Sequence, residues 1–225
     1  LLFGGNGSLG VPRNDTWTWD GPQWSQQTPT SVPPARTWHT LTSDLQRSRV
    51  LLFAGADGGF TPRADSWEWD GANWSAVALG SAPPARYAHA AAYDFGTQQT
   101  VAFGGSGPLQ LLADTWSWNG TTWSTAAGVA APAPRYQSAL AYDDGRARSV
   151  LFGGFDGSTI LGDTWEWTGS AWDPRPVGVS PPARYMAAMA HDTGRGQSVL
   201  YGGGNGNVDT LNIRVSTTDN LDPAL

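Results

Sequence analysis

The sequence predicts an all-β fold of about five four-stranded units, the first and last incomplete, and three observations predict it. A phrase of the form Asp-Thr/Ser-Trp-x-Trp-x-Gly-x-x-Trp occurs at Asp15 to Trp24, Asp65 to Trp74, Asp114 to Trp123 and Asp163 to Trp172. Its first tryptophans, Trp17, Trp67, Trp116 and Trp165, recur every 49 or 50 residues, a period that marks a propeller or a solenoid. Twelve of the 13 tryptophans lie in these four copies, so one recurring unit uses nearly all of them, and no stretch of ten or more residues has a clean helical period.

Each period divides into four strand-like segments separated by turn chemistry. Strand A is small, as in Tyr87-Ala-His-Ala-Ala-Ala-Tyr93 and Tyr136-Gln-Ser-Ala-Leu-Ala-Tyr142. Alanine and serine fit where neighbouring units converge on an axis, so this segment is read as the innermost strand. Strand B is apolar on both faces, as in Val150-Leu151-Phe152, which is the mark of a strand covered on both sides. It ends in a glycine pair, Gly4-Gly5, Gly104-Gly105, Gly153-Gly154 and Gly202-Gly203, with Ala54-Gly55 in one copy. That pair permits positive φ and close backbone approach. Strand C places two tryptophans two residues apart, hence on one face, where flat indoles fill the widening gap between units. Asp20-Gly21, Asp70-Gly71 and Asn119-Gly120 then turn the chain into strand D, as such pairs do in hairpins.

The glycine pair followed by spaced aromatics resembles the kelch repeat, a four-stranded propeller blade, and the resemblance covers nearly the whole chain. Trp19-Asp20 and Trp69-Asp70 look superficially like the other common propeller repeat, which carries a Trp-Asp pair. The aspartate becomes Asn119 and Thr168 in later copies, and the period is too long for that family. Kelch propellers resemble the catalytic domain of galactose oxidase and a sialic-acid mutarotase, so the resemblance implies an enzyme as an alternative. The oxidase's Tyr-Cys crosslink cannot form in a chain without cysteine, and no copper-ligand set stands out.

Taken in order, Leu1 to Phe3 reads as the end of a strand B, and three complete periods run from about Arg36 to Pro176. The last period begins at Arg184 and drifts at strand C, where Asp209 to Ile213 replaces the tryptophan phrase. The expected propeller domain is 1–215, with a tail at 216–225; incomplete end blades and the lack of an initial methionine fit a piece of a larger propeller. The 225 residues suffice to bury about 70% of the unfolded surface in one core. A net charge of -6 argues against a nucleic-acid partner, and no apolar run is long enough for membrane insertion as a helix. The first residues do not read as a charged-then-apolar signal peptide, so none is expected there. All 13 basic residues are arginine, read as the codon bias of a GC-rich bacterial gene, in which the four sequons at Asn6, Asn14, Asn73 and Asn119 go unused.

Function is expected on loops held by the rigid frame. The B-to-C loops are the part that does not repeat: Asn6 to Asn14, Ala56 to Ala64, Ser106 to Ala113, Phe155 to Gly162 and Gly204 to Val208. Their candidate ligand-binding residues are Arg13, Phe60, Arg63, Leu111, Leu112, Asp156 and Ile160. Arg36, Arg86, Arg135 and Arg184 recur and are expected at the mouth of the axial channel. They are read as structural, satisfying carbonyls or pairing with a repeated aspartate such as Asp94 or Asp143, with an anion-binding ring as the alternative. Asp15, Asp65, Asp114 and Asp163 read as turn or capping groups. His39, His89 and His191 are dispersed and read as core histidines, so no metal site and no cofactor are expected. Glu68 and Glu166, the only glutamates, lie too far apart in the repeat for a carboxylate pair. Trp38 is either a sugar platform or a filler beside an inner strand. The reading is a non-catalytic recognition module binding a protein or a glycan through the B-to-C face, with an enzyme or a passive spacer in a larger secreted or surface protein as the alternatives.

Overall fold

Turn chemistry and strand alternation produce five antiparallel sheets, seen in a computed structural model that describes residues 1–78, 80, 82–126 and 131–205. The first sheet holds β1 (Leu2–Asn6), β2 (Pro12–Trp19) and β3 (Trp24–Gln27). The second holds β4 (Thr40–Asp44), β5 (Arg49–Phe53), β6 (Ser66–Trp69) and β7 (Trp74–Ala76). The third holds β8 (Ala90–Asp94), β9 (Gln99–Phe103), β10 (Thr115–Trp118) and β11 (Trp123–Thr125). The fourth holds β12 (Ala139–Asp143), β13 (Arg148–Phe155), β14 (Ile160–Trp167) and β15 (Trp172–Pro174), and the fifth β16 (Ala188–Asp192) and β17 (Gln197–Tyr201). Within every sheet the strands follow chain order, so each sheet is a meander and a propeller blade. Three blades are complete and the first lacks strand A, as the sequence predicts; the drifted segment 209–213 and the 215/216 domain boundary lie outside the described residues. A single 3-10 turn, Ser8–Gly10, is the one helical element among the described residues.

The inner strands β4, β8, β12 and β16 pack side by side around the axis, where Ala90, Ala92, Ala139 and Ala141 keep the approach close. Just before each inner strand the chain turns through a left-handed residue: Trp38, Ala88, Gln137 and Met186 have φ of 58, 53, 57 and 58°. Such a conformation costs about 1–3 kcal/mol per residue and persists only where its surroundings demand it. Here the demand is a chain of hydrogen bonds around the axis. Ala88 donates its N–H to the Trp38 carbonyl at 2.9 Å, Gln137 to Ala88 at 2.7 Å and Met186 to Gln137 at 2.9 Å.

Between blades the core is the tryptophan phrase of one blade laid on strand B of the blade before it. Trp69 and Trp74 pack with Phe3, Trp118 and Trp123 with Leu51 and Phe53, and Trp167 and Trp172 with Val101 and Phe103. The third indole of each phrase also finds a polar partner across the gap. Trp74 Nε1 donates to Thr16 Oγ1 at 3.0 Å, Trp123 to Ser66 Oγ at 3.1 Å and Trp172 to Thr115 Oγ1 at 2.8 Å. The Thr/Ser after the repeated aspartate is therefore an acceptor buried between blades. Trp19 and Trp24 of the first blade have no such neighbour among the described residues, and each is 50% exposed.

This difference predicts two unequal costs for one chemical change. Trp123→Phe leaves the buried Ser66 hydroxyl without its donor and should cost about 1–3 kcal/mol in urea unfolding. Trp24→Phe, on an exposed face, should stay within about 0.5 kcal/mol of the parent. Equal costs would contradict this packing scheme.

Candidate functional site

Each repeat opens with an arginine, and in three of them the fold buries it: Arg36 and Arg86 are 0% exposed and Arg135 is 2% exposed, while Arg184 is only partly buried. Arg86 Nη1 and Nη2 donate to the two oxygens of Asp114 at 2.8 and 2.7 Å, Nη1 also to the Gly104 carbonyl at 2.9 Å, and Nε to the Pro84 carbonyl at 3.1 Å. Arg36 repeats this set with Asp65, Ala54 and Pro34, and Arg135 with Asp163, Gly153 and Ala133. Arg184 keeps the Pro182 and Gly202 carbonyls; its repeat-equivalent aspartate, Asp209, lies outside the described residues. The same aspartates accept the first indole of their phrase, Trp67, Trp116 and Trp165, at 2.7–2.8 Å. Burial pushes the Asp65, Asp114 and Asp163 carboxyls up, but the arginine's hydrogen bonds and charge, together with the indole N–H, outweigh it and hold each below its ordinary 3.8.

Two expectations are corrected here. The partners of the repeated arginines are not Asp94 and Asp143, which cap the A-to-B turns by accepting N–H groups of Gly96 and Thr97 and of Arg146. Nor are Asp65, Asp114 and Asp163 turn caps: they are the half-buried acidic partners of the buried arginines, while Asp15 accepts Trp17 Nε1 at 2.8 Å. Buried and neutralised by carboxylate and carbonyl oxygens, the guanidiniums of Arg36, Arg86 and Arg135 do not form an anion-binding ring.

The arginine backbone reaches the other way, into the preceding blade. Arg36, Arg86, Arg135 and Arg184 donate their N–H to the carbonyls of Arg13, Arg63, Leu112 and Leu161 at 2.8–3.2 Å. Their own carbonyls accept the N–H of Gly5, Gly55, Gly105 and Gly154 at 2.8–3.0 Å. Each of the first four B-to-C loops is thereby pinned at its base to the next blade.

Of the loop residues singled out from the sequence, the structure divides base from tip. Arg13 and Leu112 hold their loops through those carbonyls; Arg13 lies in β2 with its guanidinium against Gly7, and the Leu112 side chain lies against Gly107. Arg63 is also at a base, with Nη2 4.0 Å from Asp57 Oδ2. Asp156 closes its own turn by accepting N–H groups of Ser158 and Thr159, which hold its carboxyl low. Ile160 is not on a loop: it opens β14 opposite Phe155, so in this blade the connection shrinks to 156–159. The tips are Leu9, Phe60 and Leu109, exposed by 98, 59 and 97%. Phe60 and Leu111 do come together, lining with Pro62, Tyr87 and Leu109 a groove of about 390 Å³ between the second and third loops.

Beside the groove, bridges such as Tyr87 to Ser106 and Tyr136 to Phe155 bring the entry to each inner strand up to these loops. Tyr87, Tyr136 and Tyr185 therefore line the same end, with Phe60 6.4 Å from Tyr87 and Phe155 5.8 and 6.1 Å from Tyr136 and Tyr185 by ring centres. Burial and the neighbouring Tyr87 and Tyr185 push the Tyr136 hydroxyl up. These tyrosines and the tips Leu9 and Leu109 escaped sequence reasoning, although the Arg-Tyr dipeptide at 86, 135 and 184 marks the former. On the axis, a cavity of about 220 Å³ is lined by Trp38, His39, His89, Gln137 and Met186. Burial, then the Arg36 charge, lowers His39 to about 4, and burial with the Arg86 charge holds His89 well below its ordinary value, so both rings face the cavity neutral. Glu68 and Glu166 are held in separate clusters, with Arg47 and with Arg146 and Arg175, as structural partners.

The KLHDC2/KLHL20/DRC7 Kelch-repeats domain profile matches residues 1–168, which takes in the first blade and all but the last strand of the fourth. No curated protein matches the chain.

Two predictions follow from the buried charges. Asp114→Ala strands the Arg86 guanidinium without a counter-ion and should cost about 3–5 kcal/mol in urea unfolding. A lowered histidine pKa means that the unfolded chain binds a proton first, so stability should fall as pH drops from 6.5 towards about 4. Replacing His39 and His89 by serine, as at Ser138, should flatten the melting temperature in that window. The aspartates act lower: their contribution is complete above 3.8 and disappears as pH falls further.

Proposed function

The chain belongs to the kelch-repeat family, and from that premise we propose that it is a non-catalytic module that binds an extended, apolar segment of a partner protein across the B-to-C loop tips and the aromatic mouth beside them. The observation that carries this reading is an apolar side chain held on a left-handed backbone at an exposed loop tip. Ten described residues other than glycine have positive φ, and eight occupy positions that recur from blade to blade. The other two are Leu9 and Phe60, at φ of 64 and 58°, both at exposed loop tips. A left-handed backbone costs an ordinary residue about 1–2 kcal/mol, and glycine would relieve it. An apolar side chain held there in water therefore adds little to the fold, and a contact with a partner accounts for it.

With the repeated arginines neutralised by their aspartates, attraction at this end is chiefly apolar, and binding should depend weakly on salt. Residues at the loop bases, Arg13, Arg63 and Leu112, support the surface through their backbones. The experiment is a selection of random peptides displayed on phage against the immobilised chain, with a glycan array in parallel. Enriched peptides should carry aromatic or branched apolar residues and lose at least tenfold in affinity to a Phe60→Gly, Leu109→Ser variant whose melting temperature is equal or higher. Peptide binding that the variant leaves unchanged, or binding on the glycan array alone, would overturn the proposal.

A further inference from the structure

At the opposite end of the blades, two departures from the repeat meet in space. The aromatic that closes strand A is Tyr93 in the third blade and Tyr142 in the fourth, and it points to the A-to-B turn of the blade before. Tyr93 Oη donates to Asp44 Oδ1 at 3.0 Å, and Tyr142 Oη accepts the Gly96 N–H at 2.8 Å. In the fifth blade the residue is His191. The turn it reaches is also unlike the others: the residue after the turn aspartate is Leu45 in the second blade and Phe95 in the third, but Asp144 in the fourth. His191 and Asp144, 47 residues apart, thus break the repeat together, and their side chains come within 2.8 Å of each other.

The chemistry of the ring decides what this pair is for. His191 Nδ1 lies 3.1 Å from Ser198 Oγ, a bond that leaves Nε2 turned towards Asp144 Oδ1 at 2.8 Å and Asp143 Oδ1 at 3.8 Å. The side chain is 5% exposed, yet Nε2 has no hydrogen-bond partner: the Asp144 contact is short but out of line for an N–H···O bond. With Nδ1 as the donor, an imidazole lone pair faces two carboxylates, an arrangement that repels unless a cation lies among them. One ligand atom from each of Asp143, Asp144 and His191 lies within 4.8 Å of the others.

We propose that Asp143, Asp144 and His191 hold a divalent cation of the zinc or manganese type between the fourth and fifth blades. One imidazole with two carboxylates is a mixed nitrogen and oxygen set, which suits such ions better than calcium, whose ligands are oxygens and more numerous. Asp143 offers Oδ1, because Oδ2 accepts Arg146 Nε at 2.7 Å; Oδ1 also takes the Arg146 N–H at 3.1 Å. Arg146 and Arg175 are both shared with Glu166, so three carboxylates stand against two guanidiniums and the cluster keeps room for positive charge. Asp144, 41% exposed on its side chain, opens the site to the axial cavity of about 500 Å³ that it lines with His191 and Tyr142. Ser198 stands behind the ring as the positioning residue that sets which nitrogen binds. The ion would fasten the fifth blade to the fourth, where the earlier blades use tyrosine.

The full chain, freed of metal with a chelator, is titrated with zinc and with manganese by calorimetry, and its melting is followed with and without each ion at pH above the histidine range. The expected result is one ion per chain and a rise in melting temperature that the chelator reverses. Asp144→Asn should weaken binding at least tenfold, and Ser198→Ala about tenfold or more. His191→Tyr with Asp144→Phe restores the residues of the preceding blades and so should fold, melt cooperatively in chelator and no longer respond to either ion. No binding by the parent, or an equal response in the restored variant, overturns the proposal. So does a parent whose melting depends only on proton concentration, which identifies a plain ion pair.

Discussion

Everything in this propeller passes through the arginine that opens each repeat. In the three complete blades its guanidinium is buried and bonded to the aspartate that opens strand C and to a carbonyl at the end of strand B, which ties together its own blade. Its main chain bonds the loop base and the second glycine of the blade before, which ties one blade to the next. Burying a charge is costly unless it is paired and hydrogen-bonded, and here four of the five guanidinium N–H groups are used. A single side chain could not be exchanged for an apolar one without leaving two carbonyls and a carboxylate unsatisfied, so the ion pair acts as a specificity device for the blade's geometry.

Two consequences reach function. The tryptophan phrase and the arginine clamp leave the loop bases no freedom, and only the tips can differ without harm to the frame. The tips then carry what the frame does not need: Leu9, Phe60 and Leu109 stand in water, two of them in a backbone conformation that disfavours them. At the other end the A-to-B turns are held by aspartate caps and arginine bridges. The fourth and fifth blades depart from this arrangement at Asp144 and His191.

Features repeated in kind were legible in the sequence, because four copies of one phrase average out chance. Tryptophans two residues apart, a glycine pair and a small inner strand each state a geometry that a period of 49 or 50 residues makes unmistakable. The repeated arginine was legible as structural but not its partner, since Asp65 and Asp44 recur equally well and only the fold brings the former to Arg36. The axial row of left-handed residues was hidden: Trp38, Ala88, Gln137 and Met186 share no chemistry, and the position is set by backbone bonding alone. On the B-to-C face the long side chains of the sequence draw attention to the loop bases, where Arg13, Arg63 and Leu112 serve through their carbonyls. His191 looked solitary because its carboxylate neighbours belong to the preceding blade.

The arginine carbonyls and the second glycines join the blades into one cooperative body. Native-state hydrogen exchange measures this at single amides. Gly55, Gly105 and Gly154, with Ala88, Gln137 and Met186, should exchange only through global unfolding, while the amides at the loop tips around Leu9, Phe60 and Leu109 should exchange far faster. Exchange of the glycine amides at loop-like rates, or blade by blade at separate free energies, would contradict it.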